Sequence, residues 1–127
     1  MWTEALENPK ALEMFNPEPL LKGVTLGKLL LDRDGPTATI TIQIKEYPTN
    51  PPVKWRVRQY NAVTIELQAM AIEDIRILGW TTENQVSISI KRLPEGGLWF
   101  QAVGSSEVEL HCGWLRVIGV TPYCLAT

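Results

Sequence analysis

From Thr25 onward, apolar side chains recur at every second position, and the alternation holds almost to the C-terminus. Residues two apart on an extended chain share a face, so the pattern predicts strands with one side buried. The plainest case is Thr37 to Ile44, where Ala38, Ile40, Ile42 and Ile44 alternate with Thr37, Thr39, Thr41 and Gln43. Thr25 to Asp32 leads into it through Arg33-Asp34-Gly35-Pro36, a turn sequence that sets Leu31 opposite Ala38 and Leu29 opposite Ile40. That register leaves Leu26 and Leu30 on the other face, where contact with water is unfavourable. A short N-terminal helix is the candidate cover. Asn8 can cap it, Pro9 suits its first position, Ala11, Leu12 and Phe15 lie on one side, and Asn16-Pro17-Glu18-Pro19 ends it.

Pro48-Thr49-Asn50-Pro51-Pro52 lacks backbone donors at its prolines and reads as a surface loop, with Trp55 just beyond it. Val63, Ile65 and Leu67 alternate with Thr64, Glu66 and Gln68 in a second long strand; Ile75 and Ile77 resume the pattern, and Leu78-Gly79-Trp80 closes that unit. The last third reads as a meander of Val86–Lys91, Leu98–Val103 and Glu107–Cys112, joined through Pro94-Glu95-Gly96-Gly97 and Gly104-Ser105-Ser106. Folding the second pair sets Leu98, Phe100 and Ala102 opposite Cys112, Leu110 and Val108, which leaves Trp99 opposite His111 and Gln101 opposite Glu109 on the outside. Ile90, Ile88 and Val86 join the same inner face, with Ser87, Ser89 and Lys91 outside. Seven or eight strands at this spacing predict a mainly β fold: an antiparallel β-sandwich or a strongly curved sheet packed on itself, with the short N-terminal helix. The alternation is compatible with both.

No repeat, low-complexity tract or composition break divides the chain, so residues 1–127 are read as a single domain. The apolar fraction of 45% with 20% charged residues is globular composition. Twelve basic residues are scattered and the net charge is -2, which argues against nucleic acid as a partner. No apolar run approaches a membrane span and the start of the chain does not read as a leader, so the expectation is a cytoplasmic protein without a membrane partner. Cys112 and Cys124 fit reduced thiols in a domain that builds its own core.

The inventory of reactive groups is thin. His111 is the one histidine, and in a strand it points away from its neighbour Cys112, so the two cannot form a nucleophile and base pair. No second histidine and no Cys-x-x-Cys pair supplies metal ligands, and neither a metal nor a cofactor is expected. Glu73-Asp74 and Glu107 with Glu109 are the close carboxylate groups, and they read as solvated strand and turn charges rather than an acid-base pair. Gly96-Gly97 is a hairpin turn, since no helix follows it to bind phosphate. No catalytic residue is assigned. The five tryptophans carry more information. Trp99 alternates with core residues and projects outward, while Trp55 and Trp80 stand at strand ends beside loops; exposed aromatic rings are favoured at protein interfaces because they lose little entropy on burial. The alternative for each is a place in a second core layer or along a sheet edge.

The order of these features resembles the bacterial family of immunity protein 50. The resemblance rests on Asn16-Pro17-Glu18-Pro19-Leu20, Leu31-Asp32-Arg33-Asp34-Gly35-Pro36-Thr37, Tyr47-Pro48, Pro51-Pro52-Val53-Lys54-Trp55, Tyr60-Asn61-Ala62-Val63 and Leu78-Gly79-Trp80. It spans most of the chain, though each piece is strand and turn chemistry rather than an active-site signature. It implies an immunity role in a polymorphic toxin system, in which the protein binds a cognate toxin domain and blocks it without catalysis. The resemblance supplies no contact residues. Our reading of the outer face names Trp99, Glu107, Glu109 and His111 as protein-binding residues, with Trp55 beside the proline loop as a further anchor. Two other readings are kept: a β-sandwich module binding a carbohydrate or other small molecule on its tryptophans, and an enzyme using Glu73, Asp74 or the outer glutamates. Oligomeric state is left open, because an uncovered sheet edge could pair with its twin.

Overall fold

A computed structural model describes residues 1–125. Its strands are β1 (Val24–Asp32), β2 (Thr37–Ile44), β3 (Ala62–Met70), β4 (Asp74–Leu78), β5 (Gln85–Arg92), β6 (Leu98–Gly104), β7 (Glu107–Cys112) and β8 (Trp114–Tyr123). All eight join one antiparallel sheet in the order β4-β7-β6-β5-β1-β2-β3-β8. The choice between a sandwich of two sheets and one curved sheet falls to the latter.

The topology shows why that sheet must fold on itself. Only Gly113 separates β7 from β8, yet β8 is one end strand and β7 lies beside the other. Likewise β3 and β4 are near in sequence and far apart in the sheet order. A single ribbon, β3 with β8 and then β4 with β7, therefore turns a corner from one half of the sheet to the other. The corner stays hydrogen-bonded: the Gly113 N–H donates to the carbonyls of Met70 (2.9 Å) and Ala71 (3.1 Å). Ala71 adopts a left-handed φ of 55° there, and a Cβ on Gly113 would stand 3.1 Å from the Ala71 side chain, so a larger residue opposite it would crowd the corner. At the opposite corner β1 and β5 share only the pairs Val24 with Val86 and Thr25 with Gln85.

The two halves enclose one core. Ile40, Ile42, Ile65 and Leu67 from the first half and Phe100, Ala102, Val108 and Leu110 from the second all belong to a single buried cluster. Burying each of the larger side chains contributes about 1.5–3 kcal/mol. The hairpin and meander registers are those expected from alternation, with Leu31 opposite Ala38, Phe100 opposite Leu110 and Trp99 opposite His111. One expectation fails at Gly27. A bulge between Leu26 and Lys28 shifts the register and turns Leu26 inward, opposite Ile42, while Leu30 stays in water.

The N-terminal helix is corrected as well. The segment forms two 3₁₀ turns, Trp2–Ala5 and Pro9–Leu12, with no α-helix. So few residues before Pro17 give little return on the cost of nucleating a helix. Asn8 also spends its side chain elsewhere: its amide donates to the Val117 carbonyl (2.9 Å) and its Oδ1 accepts from the Val117 N–H (2.8 Å). With the Glu7 N–H on the Leu115 carbonyl (2.8 Å), this segment lies along the free edge of β8 and buries Leu6, Leu12 and Phe15 against the core. It closes one side of the folded sheet rather than covering Leu26 and Leu30. Asn8→Ala orphans both backbone groups of Val117 and is expected to lower stability by about 1–3 kcal/mol in urea unfolding. A smaller loss for Asn8→Asp, which keeps the acceptor, would check that the side-chain bonds are responsible. No described helix is long and apolar enough to cross a membrane.

Candidate protein-binding face

Alternation places every second residue of β5, β6, β7 and β4 on the outside of the second half of the sheet. Their registers align these residues in rows that cross the four strands: Lys91, Trp99, His111, Asp74; then Ser89, Gln101, Glu109, Arg76; then Ser87, Val103, Glu107, Leu78. Four of the five residues expected to bind protein, Trp99, Glu107, Glu109 and His111, are brought together here on neighbouring strands. Glu107 and His111 are exposed, and Trp99 and Glu109 are half-buried.

Trp99 is held in a defined pose. The His111 ring meets it edge-on at 6.3 Å between centroids, and the Lys91 ammonium lies 5.8 Å from its ring. A cation over an indole face is attracted by the ring quadrupole, so Lys91 and His111 fix the tryptophan without covering it completely. Its Nε1–H is buried without an acceptor among the described residues. One row away, the Gln101 Nε2 donates to Glu109 Oε1 at 3.2 Å and orients that carboxylate. The result is an aromatic centre bordered by the acids Asp74, Glu107 and Glu109 and by the basic Lys91 and Arg76.

Trp55 is not part of this face. It lies on the 3₁₀ turn Val53–Val57, is only 5% exposed, and packs 6.1 Å from the Tyr47 ring as a member of the core. The turn that follows the proline loop directs its tryptophan inward, so Trp55 offers a partner almost no surface. The well-exposed tryptophans are Trp80 (45%) and Trp114 (52%). Sequence reasoning passed over Trp114, although buried Leu115 and Val117 alternating with Trp114 and Arg116 carried the signal.

At the corner where β7 becomes β8, an open groove of about 410 Å³ adjoins the face. His111 and Trp114 line it together with Glu7, Glu73, Glu95 and Arg92. Arg92 is engaged already, since its Nη2 donates to the Glu4 carbonyl at 2.8 Å. The groove thus continues the acidic and aromatic character of the outer face around the corner. Glu73 and Asp74 fall at its edge and at the start of β4, away from Glu107 and Glu109.

Among the described residues, no three histidine, cysteine or acidic side chains converge as metal ligands would. Both cysteines are free, Cys112 buried and Cys124 exposed. Burial pushes the Cys112 thiol up to about 11, so at neutral pH it is protonated and a poor nucleophile. His111 and Cys112 do point to opposite faces, as alternation requires.

Residues 8–123 match the family described as Immunity protein 50. No curated protein and no solved structure matches the chain.

Proposed function

The chain belongs to the immunity protein 50 family, and from that membership we propose that it neutralises a cognate toxin domain by binding it. The family match over nearly the whole chain is the observation that carries this reading. In the proposed setting, a bacterial polymorphic toxin system, the protein acts in the cytoplasm of the producing or sibling cell and inhibits by occupying a surface of the toxin. Inhibition of that kind asks for a stable, shaped surface rather than reacting groups.

The outer face of β5, β6, β7 and β4 is the surface we assign to the contact, with Trp99 at its centre and Glu107, Glu109 and His111 around it. A half-buried ring held by its neighbours loses little entropy when a partner covers it, and acids around it favour a basic partner surface and speed encounter. Trp55 is left out because it is inside. The reading as a carbohydrate module has less support, since stacking on a sugar needs an open flat ring and Trp99 has Lys91 and His111 against it.

Co-expression with the product of the adjacent gene tests the proposal. Growth should be restored when this protein is present, and a complex should be recovered from the same cells. A neighbouring product that is harmless alone, or that stays toxic beside soluble immunity protein, would overturn the reading.

A further inference from the structure

β4 is an end strand, and its outer edge has no hydrogen-bonding partner among the described residues. On the other end strand, β8, Glu7 and Asn8 cover the edge at Leu115 and Val117, and beyond it a register shift and Pro122 interrupt the edge. β1 also has an unpaired stretch, Lys28–Asp32, but it follows the Gly27 bulge, and bulges spoil edge pairing. β4 pairs with β7 residue by residue without a register shift. Ile77 shares the inward face with Val108 by register, yet it remains 37% exposed, and Leu78 is exposed beside it. An unbroken edge with uncovered apolar side chains is a template for another strand.

We propose that this edge pairs with the same edge of a second copy of the chain, antiparallel, about a two-fold axis through Ile75. The charges on β4 select both the partner and the register. Residues opposite one another in an antiparallel pair lie on one face, so a two-fold that continues the outer face must pass through a residue rather than between two. Centring it on Arg76 sets that arginine against its own copy. Centring it on Ile77 sets Arg76 against Leu78. Centring it on Ile75 sets Asp74 of each copy opposite Arg76 of the other and brings the two Ile75 side chains together on the inner face, where Ile77 lies opposite Glu73 as the one mixed pair.

The rows on each outer face then run across the junction with charges in alternation. Arg76 stands between Glu109 of its own chain and Asp74 of the second copy, and Asp74 stands between His111 and the other Arg76. Two binding faces become one surface carrying Trp99 twice. The pairing does not depend on the toxin reading, and it leaves Trp99, Glu107 and Glu109 open in both copies. A contact made by one short strand is small, so the association is weak and must be read over a concentration series.

Sedimentation equilibrium of the full chain should show a monomer and dimer in exchange, with the dimer weakened by salt. Asp74→Arg and Arg76→Asp should each weaken dimerisation by at least about tenfold, because each reversal replaces two attractive cross-strand pairs by two repulsive ones. Mixing the two variants should restore association, since one then carries only acids at the junction and the other only bases. Circular dichroism checks that both remain folded, which their exposed positions favour; the salt dependence of the wild-type chain tests the charge pairing without any variant. A wild-type chain that is monomeric at every concentration would overturn the proposal and leave the edge to an extended segment of another protein. Single reversals without effect, a mixture that fails to associate, or a dimer indifferent to salt would overturn it equally.

Discussion

Replacing Phe100 by alanine is expected to lower the stability of the fold by about 3–5 kcal/mol, the cost of removing a large ring from a close-packed interior. Phe100 is fully buried, pairs with Leu110 on β7 and Ile90 on β5, and belongs to the cluster that joins both halves of the sheet. Because one sheet encloses one core, the cavity cannot be confined to a hairpin, and unfolding in urea should stay a single transition with a lower midpoint. The same variant, while still folded, should bind the toxin with unchanged affinity, since Phe100 points away from the outer face. A loss below about 1 kcal/mol would show that the halves do not depend on this contact in the way the burial indicates.

Trp99→Ala should do the reverse. With the indole at the centre of the proposed contact, truncation is expected to cost about 2 kcal/mol of binding, a weakening of roughly thirtyfold. The effect on folding should be smaller than for Phe100, because the ring is only half-buried and stands on the outer face against the Lys91 ammonium and the His111 ring. Calorimetric titration of the purified toxin domain with wild-type and variant proteins gives the comparison directly. Glu107→Ala, at an exposed position on the same face, should act mainly on the association rate and its salt dependence. Unchanged affinity for Trp99→Ala would move the contact off this face. Neighbours in sequence on β6, Phe100 and Trp99 thus separate stability from binding.

Much of this arrangement could be read from the chain alone, for one physical reason: strand side chains have a period of two, so a buried face on one strand dictates which residues oppose it on the next. That reasoning placed Trp99 against His111, Gln101 against Glu109 and Phe100 against Leu110 without coordinates, and the structure has those pairs. It failed where the period is interrupted. The Gly27 bulge adds a residue and reverses the face of Leu26, and a lone glycine within an apolar run does not say whether it is a bulge or an ordinary strand residue. The burial of Trp55 escapes alternation for a related reason. That residue stands in a loop with no period at all, so only its contact with Tyr47 reveals that it is inside.

The N-terminal segment makes the same distinction. Asn8 and Pro9 have the chemistry of a helix start, and local propensity points there, but the available hydrogen bonds to the edge of β8 compete for the Asn8 side chain and prevail.

The sequence by itself determined seven of the eight strands, their inner and outer faces apart from Leu26, the local hairpin registers and hence the pairing of Trp99 with His111, because all of these follow from alternation and turn residues within a few positions. Only the tertiary structure decided that the strands form one folded sheet, that the ribbon of β3 and β8 turns its corner at Ala71 and Gly113, that Trp55 is buried, and that the N-terminal segment covers the start of β8 while β4 is left open. Those outcomes depend on contacts between residues far apart in the chain, whose energies exceed local preference and leave no periodic trace in the sequence.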